Sequence, residues 1–394
     1  MNSRISEQLP IIRAVTKPPQ HHFFGYYDKC PWDWSGRYIL ALETGFIDRP
    51  PGPDDTATIG LVDLEANNNW QPISKTRAWN WQQGTMLQWL ETVSDKAIIY
   101  NDRKDGQFVS VIQDIESGKR RFLPRPIYAL SHNGKSALSL NFARLHQTRP
   151  GYGYAGISDP WEDELCPEED GIYWMDLNTG ENRLIISLKQ IVKINHRPTM
   201  DNVKHWFNHL LFSPDDQRFI FLHRWHTKDG KGRWTRMFTA RPDGSDIYCI
   251  ADDEMVSHFD WYNSNQILAW ARQKEIGDRY FLFTDQTDKK EIVGEGILTQ
   301  DGHSSYSPDR RWILTDTYAG KKNRRTLILY SCVDSHRINI GHFFSPPELK
   351  GEIRCDLHPR WSRDGQEVCI DSAHEGHRQM YILDVASIVQ KKGL

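Results

Sequence analysis

The sequence predicts an all-β fold, a seven-bladed β-propeller whose ring is closed by an N-terminal strand, and three observations carry that expectation. One hairpin pattern recurs seven times, most repeats are followed by two further apolar runs, and very little of the chain shows a 3.6-residue period. The hairpin pattern is an aromatic or large apolar anchor, a turn of the Ser-Pro-Asp-Gly kind, and a run that alternates or is wholly apolar. It occurs in WDWSGRYILAL from Trp32, WLETVSDKAIIY from Trp89, LSHNGKSALSL from Leu130, FSPDDQRFIFL from Phe212, WYNSNQILAW from Trp261, YSPDRRWILTD from Tyr306 and WSRDGQEVCID from Trp361. The turn residues supply the side-chain-to-backbone bonds and positive φ that a tight reversal demands. Third strands follow in IGLVDLE, VSVIQDIESG, IYWMDLNTG, MFTARPDG, YFLFTD, LILYS and MYILDV, and fourth strands in WQPIS, RRFLP, RLIISL, IYCI, EIVGE and RINIG.

The seventh repeat has no fourth strand of its own, and PIIRAV at 10–15 is expected to fill the vacancy. Closure by both termini leaves no long open sheet edge, which is the physical reason repeat sheets are circularised. The anchors lie 41–57 residues apart, with one gap of 82 that marks an insertion. One propeller domain spanning 1–394 is therefore expected. Two stacked β domains are the competing arrangement, and the shared register of the repeats argues against them.

Composition narrows the function. The chain has 394 residues, 49 basic against 52 acidic side chains, a net charge of −3 and a mean hydropathy of −0.65. These values exclude a disordered chain or a polyanion-binding tail. No apolar stretch approaches the roughly 18 residues a membrane helix needs, and the N-terminal segment lacks the apolar core of a secretory signal, so no membrane partner is expected. The expected location is cytoplasmic, or periplasmic if a leader has been removed. Six cysteines without a CxxC pair predict no disulfide framework. Fifteen Trp, fifteen Tyr and sixteen Phe suggest a β-rich core or a carbohydrate-facing cleft.

Three residues before the anchor, four consecutive repeats carry histidine: His209, His258, His303 and His358. The first three repeats carry Lys29, Met86 and Ile127 there instead. First strands line a propeller's channel, so equal register predicts four imidazoles facing a shared space. Each could instead cap a strand through a backbone carbonyl. Imidazole is the commonest metal ligand, and three with an open position make a catalytic site. Cys355 precedes His358, and a thiolate would favour zinc over manganese; Cys355 as a small buried apolar residue stands beside that reading. The expected metal set is His258, His303, Cys355 and His358, holding a divalent ion.

Loops leaving the second strands carry Arg103, Arg144, Arg149, Tyr152, Tyr154, His223, Arg224, His226 and Arg272. Guanidiniums beside tyrosines suit an anionic sugar, uronate or sulfated, because Arg forks the anion while a ring stacks on the sugar. Nucleic acid is not expected, since no basic run is longer than a few residues. The chemistry these groups support is β-elimination on a uronate: a cation or Arg neutralises the carboxylate, a His or Tyr takes the neighbouring proton, and a Tyr or water protonates the leaving oxygen. Acidic residues cluster in turns such as DPWEDELCPEED, which disfavours hydrolysis by paired carboxylates. No GxSxG elbow or P-loop is present.

HLLFSPDDQRFIFLHRW, SHFDW and LHPRWSRDGQEVCIDS resemble the seven-bladed oligogalacturonate lyases. HHFFGYYDKCPWDWSG and DLHPRW…DSAHEGHRQMY look similar to the propeller polysaccharide lyases that include ulvan lyases. The resemblance spans nearly the whole chain in blade order. It places His209 on the lyase base and His258 and His358 on two metal-ligand histidines. Where the oligogalacturonate lyases have His-Pro-His-Pro, this chain has Asp356-Leu-His358-Pro, so Asp356 replaces one ligand, and a preceding glutamine of that family falls on Ile353. Cys355 resembles the mixed Cys/His zinc site of the ulvan lyases. Their second-blade catalytic histidine has no counterpart here; Gln82 or Gln83 occupies that neighbourhood. The expectation is a lyase with His209 or His223 as base, Tyr154 as acid and Arg224 in the catalytic set. Arg103, Arg144, Arg149, Tyr152, His226 and Arg272 would hold the sugar. A non-catalytic propeller that binds sugar or protein, and a structural zinc propeller, are the alternatives.

Overall fold

The computed structural model describes residues 4–90 and 96–390. Its strands form seven antiparallel meanders in sequence order, the blades of a β-propeller. Blade one runs through His21–Phe23, Tyr38–Thr44, Ala57–Asp63 and Asn69–Thr76; blade four through His205–Phe212, Phe219–His226, Arg233–Ala240 and Tyr248–Ala251. Blade five begins with Val256–Asn263, blade six with Ser305–Tyr306 and blade seven with Arg360–Trp361. The turn of the second predicted hairpin, residues 91–95, lies outside the described residues.

The N-terminal closure is as the sequence predicts. Ile12–Ala14 pairs antiparallel with Gln379–Asp384, Ile12 facing Leu383, and completes blade seven. An additional short strand, Ile5–Glu7, runs parallel to His336–Phe344 as a fifth strand of blade six.

The chain divides into two compact units. The first is built on blades one, six and seven with His258–Asp260, the second on most of blades two to five. In the first, Trp312, Leu314, Leu329, Trp361, Ile370 and Tyr381 belong to one buried cluster, so the repeat anchors are core residues. Each such side chain contributes roughly 1.5–3 kcal/mol by leaving water. In the second, Phe219, Phe221 and Phe238 pack ring on ring at 5.6 and 5.3 Å.

The insertion expected as loop after the third hairpin contains a short helix, Phe142–Thr148. Asn141 caps it by accepting the Arg144 N–H at 3.0 Å. A second short helix, Leu188–Lys193, is capped by Ser187. Two turns are too few to write a clear helical period, so packing and caps decide these segments. All six cysteines are free. Among the described residues no helix is long and apolar enough to cross a membrane.

Candidate functional site

Three of the four repeat histidines converge in the first unit. The His258 and His303 rings lie 4.3 Å apart and those of His303 and His358 4.4 Å apart, centroid to centroid, and all three are buried. Local sequence fixes each ring. At Gly302 a Cβ would fall 1.9 Å from the Asp316 carbonyl oxygen, so only glycine lets the following histidine lie against that strand. Asp316 then accepts the His303 backbone N–H at 2.8 Å and holds its Nδ1 at 2.9 and 3.1 Å. Asp301 holds the Nδ1 of His258 at 3.0 Å. His358 adopts φ +41°, a left-handed conformation that costs roughly 1–3 kcal/mol for a residue with a side chain.

Beside these rings sits Asp356, paired with Arg325 at 2.8 Å and Arg354 at 2.7 Å. Burial pushes its carboxyl up, but the two guanidiniums prevail and hold it well below the usual carboxylate range. Burial also lowers His258 and His358, so both rings are neutral, the form that ligates metal. Tyr26 lies against His258, His303 and His358, and Tyr27 against the first two. The Tyr27 hydroxyl donates to the Phe259 carbonyl and accepts its N–H, which pins that ring. Tyr318, 39% exposed, borders His258 and His303 from the solvent side.

This arrangement fits a divalent cation. One ligand atom from each of His303, Asp356 and His358 falls within 4.8 Å of the others. The buried Nε2 of His358 makes no hydrogen bond among the described residues and lies 4.0 Å from Asp356 Oδ2, as two ligands of one ion would. With the Nδ1 atoms of His258 and His303 committed to carboxylates, Nε2 is the atom each ring would offer, the usual outer-shell pattern of metal-binding histidine.

Cys355 is a correction to the expected ligand set. It packs with Leu349 and Ala373 against Ile47 and Ile353, and burial pushes its thiol up to about 11. In that apolar setting Cys355 packs as a small buried residue. The carboxylate of Asp356 stands in the converging set instead.

The second unit holds the remaining candidates. His209 sits at a β-bulge of blade four with φ +51°, and its Nδ1 is 3.0 Å from the Tyr128 hydroxyl. Bulges re-aim side chains, and here the aim is toward two tyrosines, since Tyr152 also meets the His209 ring edge-on at 5.8 Å. The Arg149 guanidinium covers the Tyr152 ring at 4.5 Å.

Four further residues are placed differently from the expectation. Both ring nitrogens of the fully buried His223 are engaged. Its Nε2 bonds His205 Nδ1 at 3.0 Å, and its Nδ1 accepts from Arg236 at 3.1 Å. The ring has no lone pair to offer a substrate. Tyr154 is sealed in the core, stacked on Phe142 at 4.3 Å with its oxygen accepting from Asn101, so it cannot meet a leaving group. Arg144 spends all five N–H donors on Asp159 and on the carbonyls of Trp161, Glu164, Leu165 and His205, which ties down the insertion. Arg224 is buried within the strand Phe219–His226, in register with Trp206. The second strands run longer than the hairpin pattern suggests, and Arg224 therefore lies in the ladder rather than in a loop.

Arg103 is half-buried at the end of its strand, His226 packs on Trp206 at 4.7 Å, and Arg272 is exposed and paired with Asp278 at 2.7 Å. Residues absent from the sequence-based set are Asp301, Asp316, Tyr26, Tyr27 and Tyr128.

Fold and site together define a seven-bladed propeller with a buried imidazole–carboxylate centre suited to a divalent cation. Among solved structures the chain is similar to the oligogalacturonate lyase of Vibrio parahaemolyticus, at 13% identity over 95% of this chain and 93% of that one, with a TM-score of 0.66. It is equally similar to an oligogalacturonate lyase in complex with manganese, at 15% identity over 97% and 95%, with a TM-score of 0.67. The tricorn protease is a further likeness, at 11% identity over 95% of this chain and 35% of that one, with a TM-score of 0.53. At these identities the likeness establishes the shared fold. The sequence matches no protein-family model. No curated protein matches it.

Proposed function

We propose that the protein is a metal-dependent lyase that cleaves uronate-containing oligosaccharides by β-elimination. The observation that carries the reading is the convergence of His303, His358 and Asp356, whose ligand atoms lie within 4.8 Å of one another, with the His258 ring 4.3 Å from that of His303, within a fold shared with proteins named oligogalacturonate lyase. A bound divalent ion would supply Lewis acidity that neutralises the substrate carboxylate and so acidifies the proton beside it.

The chain's own residues supply the remaining roles. Asp301 and Asp316 orient the ligand histidines, and Tyr26 and Tyr27 exclude water from them. His209, held through Nδ1 by the Tyr128 hydroxyl at 3.0 Å in the second unit, is the candidate base. Protonation of the leaving oxygen falls to water. Tyr318 offers a ring face beside His258 and His303 in the first unit; in the second unit, Arg103, Arg149, His226 and Arg272 remain candidates for binding an anion.

The donor set of imidazole and carboxylate does not demand a soft metal, so the thiolate argument for zinc falls with Cys355. Manganese and zinc are both compatible, and manganese is the first ion to supply. A structural metal is the second reading, favoured by the burial of all four residues, none more than 4% exposed.

The test is absorbance from the C4–C5 double bond on incubating metal-loaded protein with uronate oligosaccharides. Product formation that stops with chelator and with His209→Gln is expected. A silent screen together with a chelator-sensitive melting temperature would assign the metal a structural role.

A further inference from the structure

A cavity of about 420 Å³ lies in the second unit, and no histidine contributes to its lining. Phe108, Leu140, Phe142 and Trp161 line it with apolar surface, and Arg125 and Asn182 are among its polar members. The Arg125 guanidinium lies 3.3 Å from the Tyr173 ring centroid and donates through Nε to Asn182 at 2.6 Å, so its plane is fixed. Among the described residues it forms no salt bridge.

A half-buried cation held in place without a carboxylate is costly unless something anionic visits it. Burial indeed presses against its charge and lowers its pKa. Asp170, also in the lining, favours the Arg125 charge from a distance but makes no direct ion pair with it among the described residues. Its two oxygens accept from Asn141 at 2.9 Å and from the Gly171 N–H at 2.8 Å, and burial raises its carboxyl to about 6. Trp161, in the lining, is half-buried.

We propose that this cavity is an accessory site for a carboxylate-bearing sugar of one or two rings, with Arg125 receiving the carboxylate and Trp161 stacking on the ring. Arg forks a carboxylate with parallel N–H donors, and an indole face suits the C–H face of a pyranose. The volume is that of a small-ligand pocket, with apolar walls and few polar groups. The choice of a sugar over another carboxylate rests on the proposed function; the anion site itself rests on Arg125 and the cavity.

The experiment titrates galacturonate and digalacturonate into the full-length protein, with galactose as the neutral control, and follows Trp fluorescence and ligand NMR line widths. Binding of the acids about tenfold tighter than galactose is expected, weakened about tenfold by Arg125→Gln and by Trp161→Ala, partly retained in Arg125→Lys, and unaffected by His303→Ala. Trp161→Ala leaves the Tyr173–Arg125–Asn182 contacts intact, so it tests the site even where Arg125→Gln folds poorly. Equal binding of galactose, or acid binding indifferent to Arg125→Gln and Trp161→Ala, overturns the proposal. Such binding in a protein without lyase activity sinks the proposed function and leaves this site standing. Lyase activity with binding unchanged in those two variants does the reverse.

Discussion

Each unit contains a cluster of buried histidines, and the two clusters behave oppositely because of what their ring nitrogens meet. In the second unit His205 donates from Nε2 to the Met200 carbonyl at 2.9 Å, which makes its Nδ1 an acceptor for His223 Nε2–H. His223 Nδ1 must then accept from Arg236, whose other N–H groups hold the carbonyls of Ile191, Ile194 and Asn195. The chain of bonds is closed and its tautomers are fixed, so it secures the segment after Leu188–Lys193 to blade four. In the first unit carboxylates take the Nδ1 atoms of His258 and His303, and the ligand atoms of His303, Asp356 and His358 point at one another's space. Histidine content is the same kind of signal in both places; only the partners separate a strut from a ligand set.

The sharpest way to break this contrast is to remove one ring from each cluster. His303→Ala should abolish stoichiometric metal and lower kcat/KM about a thousandfold. His223→Ala should lower the melting temperature and leave metal content unchanged. Elemental analysis of the two purified variants decides, and loss of metal in His223→Ala would erase the distinction.

Acid should then act on the second unit through His205, whose pKa burial lowers to about 4. A histidine with a depressed folded pKa costs nothing above the unfolded value near 6.5. Below it the unfolded chain takes a proton that the folded chain refuses. The His205 contribution alone should therefore lower stability between pH 6.5 and about 4 by about 3 kcal/mol. Denaturant unfolding at several pH values checks this, since His205→Asn should flatten that part of the slope. An unchanged slope would mean that the closed chain does not resist protonation.

Much of this architecture is written in the sequence, because a propeller repeats its own signals. Seven turns with alternating runs fix the blades, and the strand at 12–14 lands where blade seven lacks one. The histidine positions were equally legible as a register. Their carboxylate partners were legible in principle: Ser305 pairs with Leu314, so two steps down the same ladder His303 faces Asp316. What the sequence did not disclose is burial. Arg144, His223 and Tyr154 look like surface chemistry beside their neighbours, and each is consumed by the packing of the insertion or of blade four. Nor does spacing distinguish Cys355 from Asp356, adjacent residues in the irregular segment before Arg360–Trp361, one of which enters an apolar cluster and the other the imidazole group.

A finer probe of the same contrast leaves every ring in place. Asp316→Asn keeps the shape of the His303 partner and removes its charge, and should weaken metal affinity roughly 10–100-fold while the fold persists. The equivalent change in the second unit has no counterpart, because among the described residues no carboxylate meets the His205 or His223 ring. Competition with a calibrated chelator measures the shift, and an affinity within twofold of the parent would show that the carboxylate does not tune the site.

The smallest effect belongs to Cys355. If the thiol only fills space among Leu349, Ala373, Ile47 and Ile353, Cys355→Ala should cost about 1 kcal/mol of stability through lost contact and leave metal affinity and metal preference as they were. If a thiolate enters the coordination sphere when metal is supplied, the same variant should lose zinc far more than manganese, because the soft ligand would be the one removed. Parallel zinc and manganese titrations of parent and variant separate these outcomes. A zinc-specific loss would return Cys355 to the ligand set and make the first unit's cluster a thiolate site, with the metal choice decided by the residue next to Asp356 rather than by the imidazoles themselves.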